Sequence, residues 1–92
     1  MLGKKKLSPG IAFGLVLREL RRGQRLSQEA LALEAGLQRN YISLIERGIN
    51  QPTITTIFKL AYALRTSPTR IVALVEEAAD QKALEQSMEG RL

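Results

Sequence analysis

The chain has 92 residues, enough for one small domain with a modest core, and neither cysteine nor histidine. That excludes disulfides, thiol nucleophiles, most zinc sites and the commonest general base. The net charge of +5 is uneven: residues 1–75 carry 12 Lys or Arg against 4 Glu, and residues 76–92 carry 2 basic against 5 acidic residues. A basic body with an acidic tail suits a polyanionic partner, although a solvated basic surface has the same composition.

No apolar run approaches the roughly 20 residues of a membrane span, and two Phe and two Tyr are too few aromatics for a membrane-surface helix. The basic start MLGKKKLSPG is broken by Pro9 and Gly10, unlike a signal peptide. A cytoplasmic location is expected.

In chain order, residues 1–7 read as a flexible basic arm carrying Lys4, Lys5 and Lys6. Ser8 then Pro9 is a helix start, with serine as cap and proline at the first helical position. Apolar residues at 13, 16, 17 and 20 give that helix one buried face, to about Gln24. Ser27 caps a second helix with Glu29 in its first turn and Leu31, Ala32 and Ala35 on its inner side. Gly36 ends it, and a third helix runs from about Gln38 to Arg47.

Thr53 caps a fourth helix, TITTIFKLAYALR, with Ile54, Ile57, Phe58, Ala61 and Leu64 on one face. Phe13, Phe58 and Tyr62 sit at helical spacing and are expected in the core. Ser67 and Pro68 start a fifth helix whose stripe is Ile71, Leu74, Val75 and Ala78. Leu84 and Met88 do not continue it, so an acidic, frayed tail is expected over residues 80–92. The fold class is all-α: five helices in a domain spanning 8–79, with no strand pattern.

The stretch QEALALEAGLQRNYISLIERG, residues 28–48, carries the functional signal. Two helices this short are marginal alone. Joined by a tight turn, they suit holding one helix across a DNA backbone while the next lies in the major groove. Ala32 is small where the helices must cross, and Gly36 allows a left-handed turn. Leu37, Ile42 and Ile45 point inward.

Arg39, Asn40, Ser43 and Leu44 cluster on the opposite side of the third helix. Arginine matches the two acceptors of guanine, asparagine the acceptor and donor of adenine, and leucine a thymine methyl. Alone, these four residues describe an ordinary solvated face. Together with the buried pattern and the turn glycine they describe a DNA-reading one. Tyr41 can fill the space beside the turn and reach a phosphate with its hydroxyl. Arg18, Arg22 and Arg70 read as solvated.

LRELRRGQRLSQEALALEAGLQRNYISLIERGINQPTITTIFKLAYAL resembles the Xre-type helix-turn-helix domain of phage repressors and small bacterial regulators. The SQEALA, AG and YISLIERG pieces, with Pro52 and KLAYAL, carry the resemblance over roughly residues 11–75. It implies a compact five-helix domain, helix-turn-helix at helices two and three, binding double-stranded operator DNA as a two-fold homodimer. It implies a phosphate contact at Gln28, base contacts at Arg39, Asn40, Ser43 and Leu44, and backbone contacts at Gln38, Arg47 and Asn50. It also pairs Arg21 with Glu46 inside the domain. The chain departs from the pattern at Arg25 and Arg65, where the family often has glycine. It departs again at Gln38, a weaker cap than Ser, Thr or Asp.

The function expected is that of a sequence-specific transcriptional regulator, most simply a repressor. Two alternatives stand beside it: an antitoxin that binds a toxin and represses its own promoter, and a restriction–modification controller. A dimer interface is expected on the fifth helix at Ile71, Leu74, Val75 and Ala78. No enzymatic activity, cofactor, metal or small-molecule ligand is expected, since nothing clusters into a catalytic constellation.

Overall fold

The computed structural model describes the backbone of residues 7–89 and the side chains of residues 7–80. The lysines of the expected basic arm and residues 90–92 lie outside the described residues. Five α-helices follow one another: α1 (Pro9–Gly23), α2 (Gln28–Ala35), α3 (Arg39–Glu46), α4 (Ile54–Ala63) and α5 (Pro68–Glu89).

Their starts are where the capping residues put them. The Ser8, Ser27 and Thr53 side chains accept from the backbone N–H groups of Ile11, Ala30 and Thr56. The Ser67 hydroxyl accepts from the Arg70 N–H at 3.0 Å. Only α3 lacks this device: Gln38 stands at its cap without a side-chain hydrogen bond.

Packing joins α1 to α3 and α5, α2 to α3 and α4, and α4 to α5. Leu17, Leu31, Ile42, Ile45, Leu60, Leu64 and Ile71 are the largest fully buried side chains, drawn from all five helices. An eight-residue helix such as α3 contributes little stability of its own. Ile42 and Ile45 hold it by burial, each contributing about 1.5–3 kcal/mol. Ala32 is buried between α2 and its neighbours, as expected from its size.

Three expectations are corrected. Phe13 is in the core, but Phe58 and Tyr62 are exposed. α4 carries apolar residues on more than one side, and its inner side is made of Leu60 with the smaller Thr56, Ala61 and Ala63. Ile54 leaves the core with the two aromatics. Second, α5 continues through residues 80–89, where fraying was expected. The ten residues DQKALEQSME contain no Gly or Pro and are mostly good helix formers. Third, Arg18 is not merely solvated, because its Nε lies 4.0 Å from a Glu46 carboxylate oxygen.

Candidate nucleic-acid interface

The turn between α2 and α3 is made by Gly36, which sits in the left-handed region at φ 68° and ψ 35°. The Leu37 N–H donates to the Ala32 carbonyl at 2.9 Å, closing the end of α2 as it bends away. Arg25 and Arg65, the two departures from glycine, both adopt φ 58°. The strained positions are therefore kept, and each costs about 1 kcal/mol relative to glycine. The Gln24 Nε2 donates to the Leu64 carbonyl at 2.5 Å, supporting the second of these turns.

α3 divides into two faces. Ile42, Ile45 and Glu46 are buried; Arg39 and Asn40 are exposed, and Ser43 and Leu44 are half-buried. The four residues expected to face bases thus share the outer side of one helix. Gln38, Arg47 and Asn50 are exposed around it. Gly36, Leu37, Gln38, Asn40, Tyr41 and Leu44 line an open depression at its front. Tyr41 packs against the core beside that depression. It is half-buried, with its hydroxyl 3.4 Å from the Thr56 Oγ1. Thr56 is buried and also meets the Thr53 hydroxyl at 3.0 Å.

Beneath this face, Glu46 accepts three hydrogen bonds from two residues, Arg21 and Gln28. Arg21 Nε donates to one carboxylate oxygen at 2.6 Å and Nη2 to the other at 3.0 Å. Arg21 Nη1 donates to the Leu26 carbonyl at 2.8 Å, which anchors the α1–α2 loop to the same hub. Gln28 Nε2 donates to Glu46 at 3.0 Å. Burial by itself would push the Glu46 carboxyl up. The hydrogen bonds from Arg21 and Gln28, with the charges of Arg21 and Arg18, overturn that and hold it below the usual carboxylate value. The Arg21 guanidinium is held above its usual value, chiefly by the hydrogen bond to Glu46 and against the cost of burial.

The ion pair matches the pairing that the resemblance implied. Gln28, at the first position of α2, has one amide N–H committed to Glu46 inside the domain. Its second N–H is the group left for an external acceptor.

Two features of this frame were not read from the sequence. Gly14 lies against the end of α3: a Cβ there would sit 2.5 Å from the Ile45 carbonyl oxygen. Gly48, at φ 76°, turns the chain after α3 beside Ile11. The IERG piece marks the second position, but nothing local marks the first.

A family model described as Helix-turn-helix (HTH_3) matches residues 17–71, more than half of the chain. The chain belongs to the helix-turn-helix family. An uncharacterised HTH-type transcriptional regulator of Sinorhizobium fredii, y4dJ, is 38% identical over 58 residues, covering 63% of this chain and 75% of that protein. The control protein C.BamHI of Bacillus amyloliquefaciens is 41% identical over 59 residues, covering 63% and 73%.

Among solved structures, the restriction-modification controller protein C.AhdI of Aeromonas hydrophila is 42% identical, with a TM-score of 0.68. The match covers 71% of this chain and 98% of that one. The clp gene regulator ClgR of Corynebacterium glutamicum matches 97% of this chain and 94% of its own with a TM-score of 0.87. At 20% identity that likeness is one of fold alone. In helix-turn-helix terms, α2 and α3 are the two named helices and α3 the one whose outer face is free. Among the described residues no group of three or more acidic side chains could hold a metal ion, and no helix is long and apolar enough to cross a membrane.

Proposed function

We propose that this chain is a sequence-specific DNA-binding transcriptional regulator, most simply a repressor, acting as a homodimer on a two-fold operator. Arg39, Asn40, Ser43 and Leu44 contact base edges. Gln28, Gln38, Tyr41, Arg47 and Asn50 contact the phosphate backbone. The single observation that carries the reading is the division of α3 into a buried inner side and an outer side presenting Arg39, Asn40, Ser43 and Leu44 together. An arginine and an asparagine one residue apart offer bidentate partners for guanine and adenine, the two purines with paired groups in the major groove. A protein with this task works where the DNA is, in the cytoplasm.

Gln28 suits a phosphate because its remaining amide N–H is a donor and Glu46 fixes the carboxamide's orientation. A bare carboxylate close to DNA would repel the backbone. Glu46 is buried and neutralised by Arg21, so it positions without repelling. For Tyr41, the hydrogen bond to Thr56 leaves hydroxyl capacity for a phosphate oxygen.

A narrower reading is favoured by one observation: the restriction-modification controller protein C.AhdI is 42% identical over the 71% of this chain that it matches. The regulator would then control the genes of such a system.

The test is selection from random duplex DNA followed by titration at several salt concentrations. A two-fold operator with half-sites about 10 base pairs apart is expected. Affinity should fall with salt at a slope near −0.9 per neutralised phosphate. An absence of any selected sequence, with no salt-sensitive binding to duplex DNA, would refute the reading.

A further inference from the structure

The depression at the front of α3 is lined by Leu37, Tyr41 and Leu44, with Gln38 and Asn40 supplying uncharged amides beside them. The three apolar residues are half-buried. Leu37 and Tyr41 also pack against the core, whereas Leu44 stands outside it. Folding therefore accounts for the first two and not for Leu44. Asn40 and Leu44 are four residues apart, so they follow one another along the outer side of α3.

We propose that this depression receives the C5-methyl group of a pyrimidine in the major groove, and that it takes the methyl of 5-methylcytosine as it takes that of thymine. The proposal rests on the DNA-binding reading above and goes beyond it, because a modified base then becomes a signal to which the protein responds.

Three observations select the occupant. The first is polarity. Among the described residues, no charged side chain lines the depression, so a phosphate finds no cation there. Base pairs present nitrogen and oxygen donors and acceptors in the major groove, and the C5-methyl is the apolar group among them. The second is position. Asn40 lines the depression and is also the side chain suited to adenine N6 and N7. Thymine pairs with adenine and shows its methyl on the same groove edge. The residue that reads the adenine and the residue that meets a methyl thus lie one helical turn apart on the same side of α3. The third is Leu44 itself, an apolar side chain on the recognition face that the core does not use.

The same chemistry admits the modified base. Thymine and 5-methylcytosine carry one methyl on the same ring carbon and differ beside it, as an O4 acceptor against an N4 amino donor. Leucine has neither a donor nor an acceptor with which to tell them apart. A carboxamide offers both a carbonyl and an amino group, so the amides at the depression exclude neither base. A cytosine at this position becomes a better ligand once it is methylated.

The test uses the full chain and the operator obtained by selection. Each thymine of one half-site is replaced in turn by uracil, which removes the methyl and keeps the hydrogen-bonding groups. One position should lose about four-fold in affinity, as expected for one buried methyl group. That position should be at or next to the base pair where Asn40→Ala loses discrimination. Cytosine placed there should bind about four-fold tighter when methylated at C5. Leu44→Ala should bind the thymine and uracil duplexes equally, whereas Gln28→Ala should weaken both and keep their ratio. The base replacements judge the proposal on the wild-type protein alone, should Leu44→Ala fail to fold. A half-site without thymine, a uracil scan without loss at any position, or equal affinity for cytosine and 5-methylcytosine would each overturn the methyl site while the DNA-binding reading stands. If no duplex is selected at all, that reading fails and the methyl site falls with it.

Discussion

Gly14 of α1 meets Ile45 of α3 backbone to backbone: a Cβ on Gly14 would lie 2.5 Å from the Ile45 carbonyl oxygen and 2.7 Å from that of Glu46. No side-chain rotation relieves such a contact, so one of the two helices would have to move. Mid-helix Gly→Ala ordinarily gains about 1 kcal/mol. Here overpacking of about 1–3 kcal/mol or more opposes that gain and wins. Gly14→Ala should melt lower than wild type, by about 4–8 °C for each kcal/mol lost. A melt at or above wild type would mean that α1 and α3 do not approach as closely as described.

Gly36 and Gly23 make a contrasting pair. A Cβ on either meets nothing within 4 Å, but only Gly36 has a left-handed backbone. Gly36→Ala should therefore cost about 1–2 kcal/mol from conformation alone, and Gly36→Val more because of β-branching. Gly23→Ala should be neutral or stabilising by up to about 1 kcal/mol. Denaturant unfolding of the three variants checks the ordering, and equal losses at the two positions would contradict it.

The Arg21–Glu46 pair predicts both a coupling and a pH dependence. Removing either partner leaves a buried charge alone, at a cost of about 3–5 kcal/mol. Replacing both, as Arg21→Met with Glu46→Leu, should cost less than either single change, and a double-mutant cycle reads the difference. Glu46 titrates below its usual value in the folded state, so its contribution is fully present above the usual 4.5 and is lost as pH falls through the lowered value. The stability gap between wild type and Glu46→Gln should be constant near neutrality and narrow progressively below about pH 4.5. A gap unchanged down to pH 2 would show that the carboxylate is not held by these partners.

Arg39 and Gln28 should separate in binding. Loss of a bidentate base contact removes about 1–3 kcal/mol of discrimination. Arg39→Ala should therefore flatten the preference at one operator position, while Gln28→Ala weakens all sequences about equally. Titration against single-base operator variants distinguishes them. A uniform loss for Arg39→Ala would move that residue to the phosphate class and leave Asn40, Ser43 and Leu44 to carry specificity.

What could be read in advance divides along a physical line. Ser8, Ser27, Thr53 and Gly36 act through local backbone chemistry, and a local chemistry is visible in a local string. Arg21 and Glu46 are 25 residues apart, and their pairing came from the family resemblance rather than from any local signal. Phe58 and Tyr62 misled because α4 is apolar on more than one side, and periodicity cannot choose between two apolar faces when the inner one is built from one leucine with alanine and threonine. Gly14 was silent for another reason: its role is a close approach to Ile45, 31 residues further on, which no window along one helix contains. Of the candidate site, the outer residues of α3 were legible from spacing. Gln28's tie to Glu46 was not, because an exposed amide and a hydrogen-bonded one look identical in sequence.

The two-sided build of α3 also bears on how such a protein acquires new targets. Ile42, Ile45 and Glu46 hold the helix in place, while Arg39 and Asn40 touch little of the domain. With the proposed base contacts on the outer side, a change there would alter what is recognised at almost no cost in folding, since surface substitutions away from special features are usually worth within about ±0.5 kcal/mol. Inheritance can therefore explore operators one residue at a time without passing through unfolded intermediates, and a duplicated copy can diverge in address while its scaffold stays unchanged.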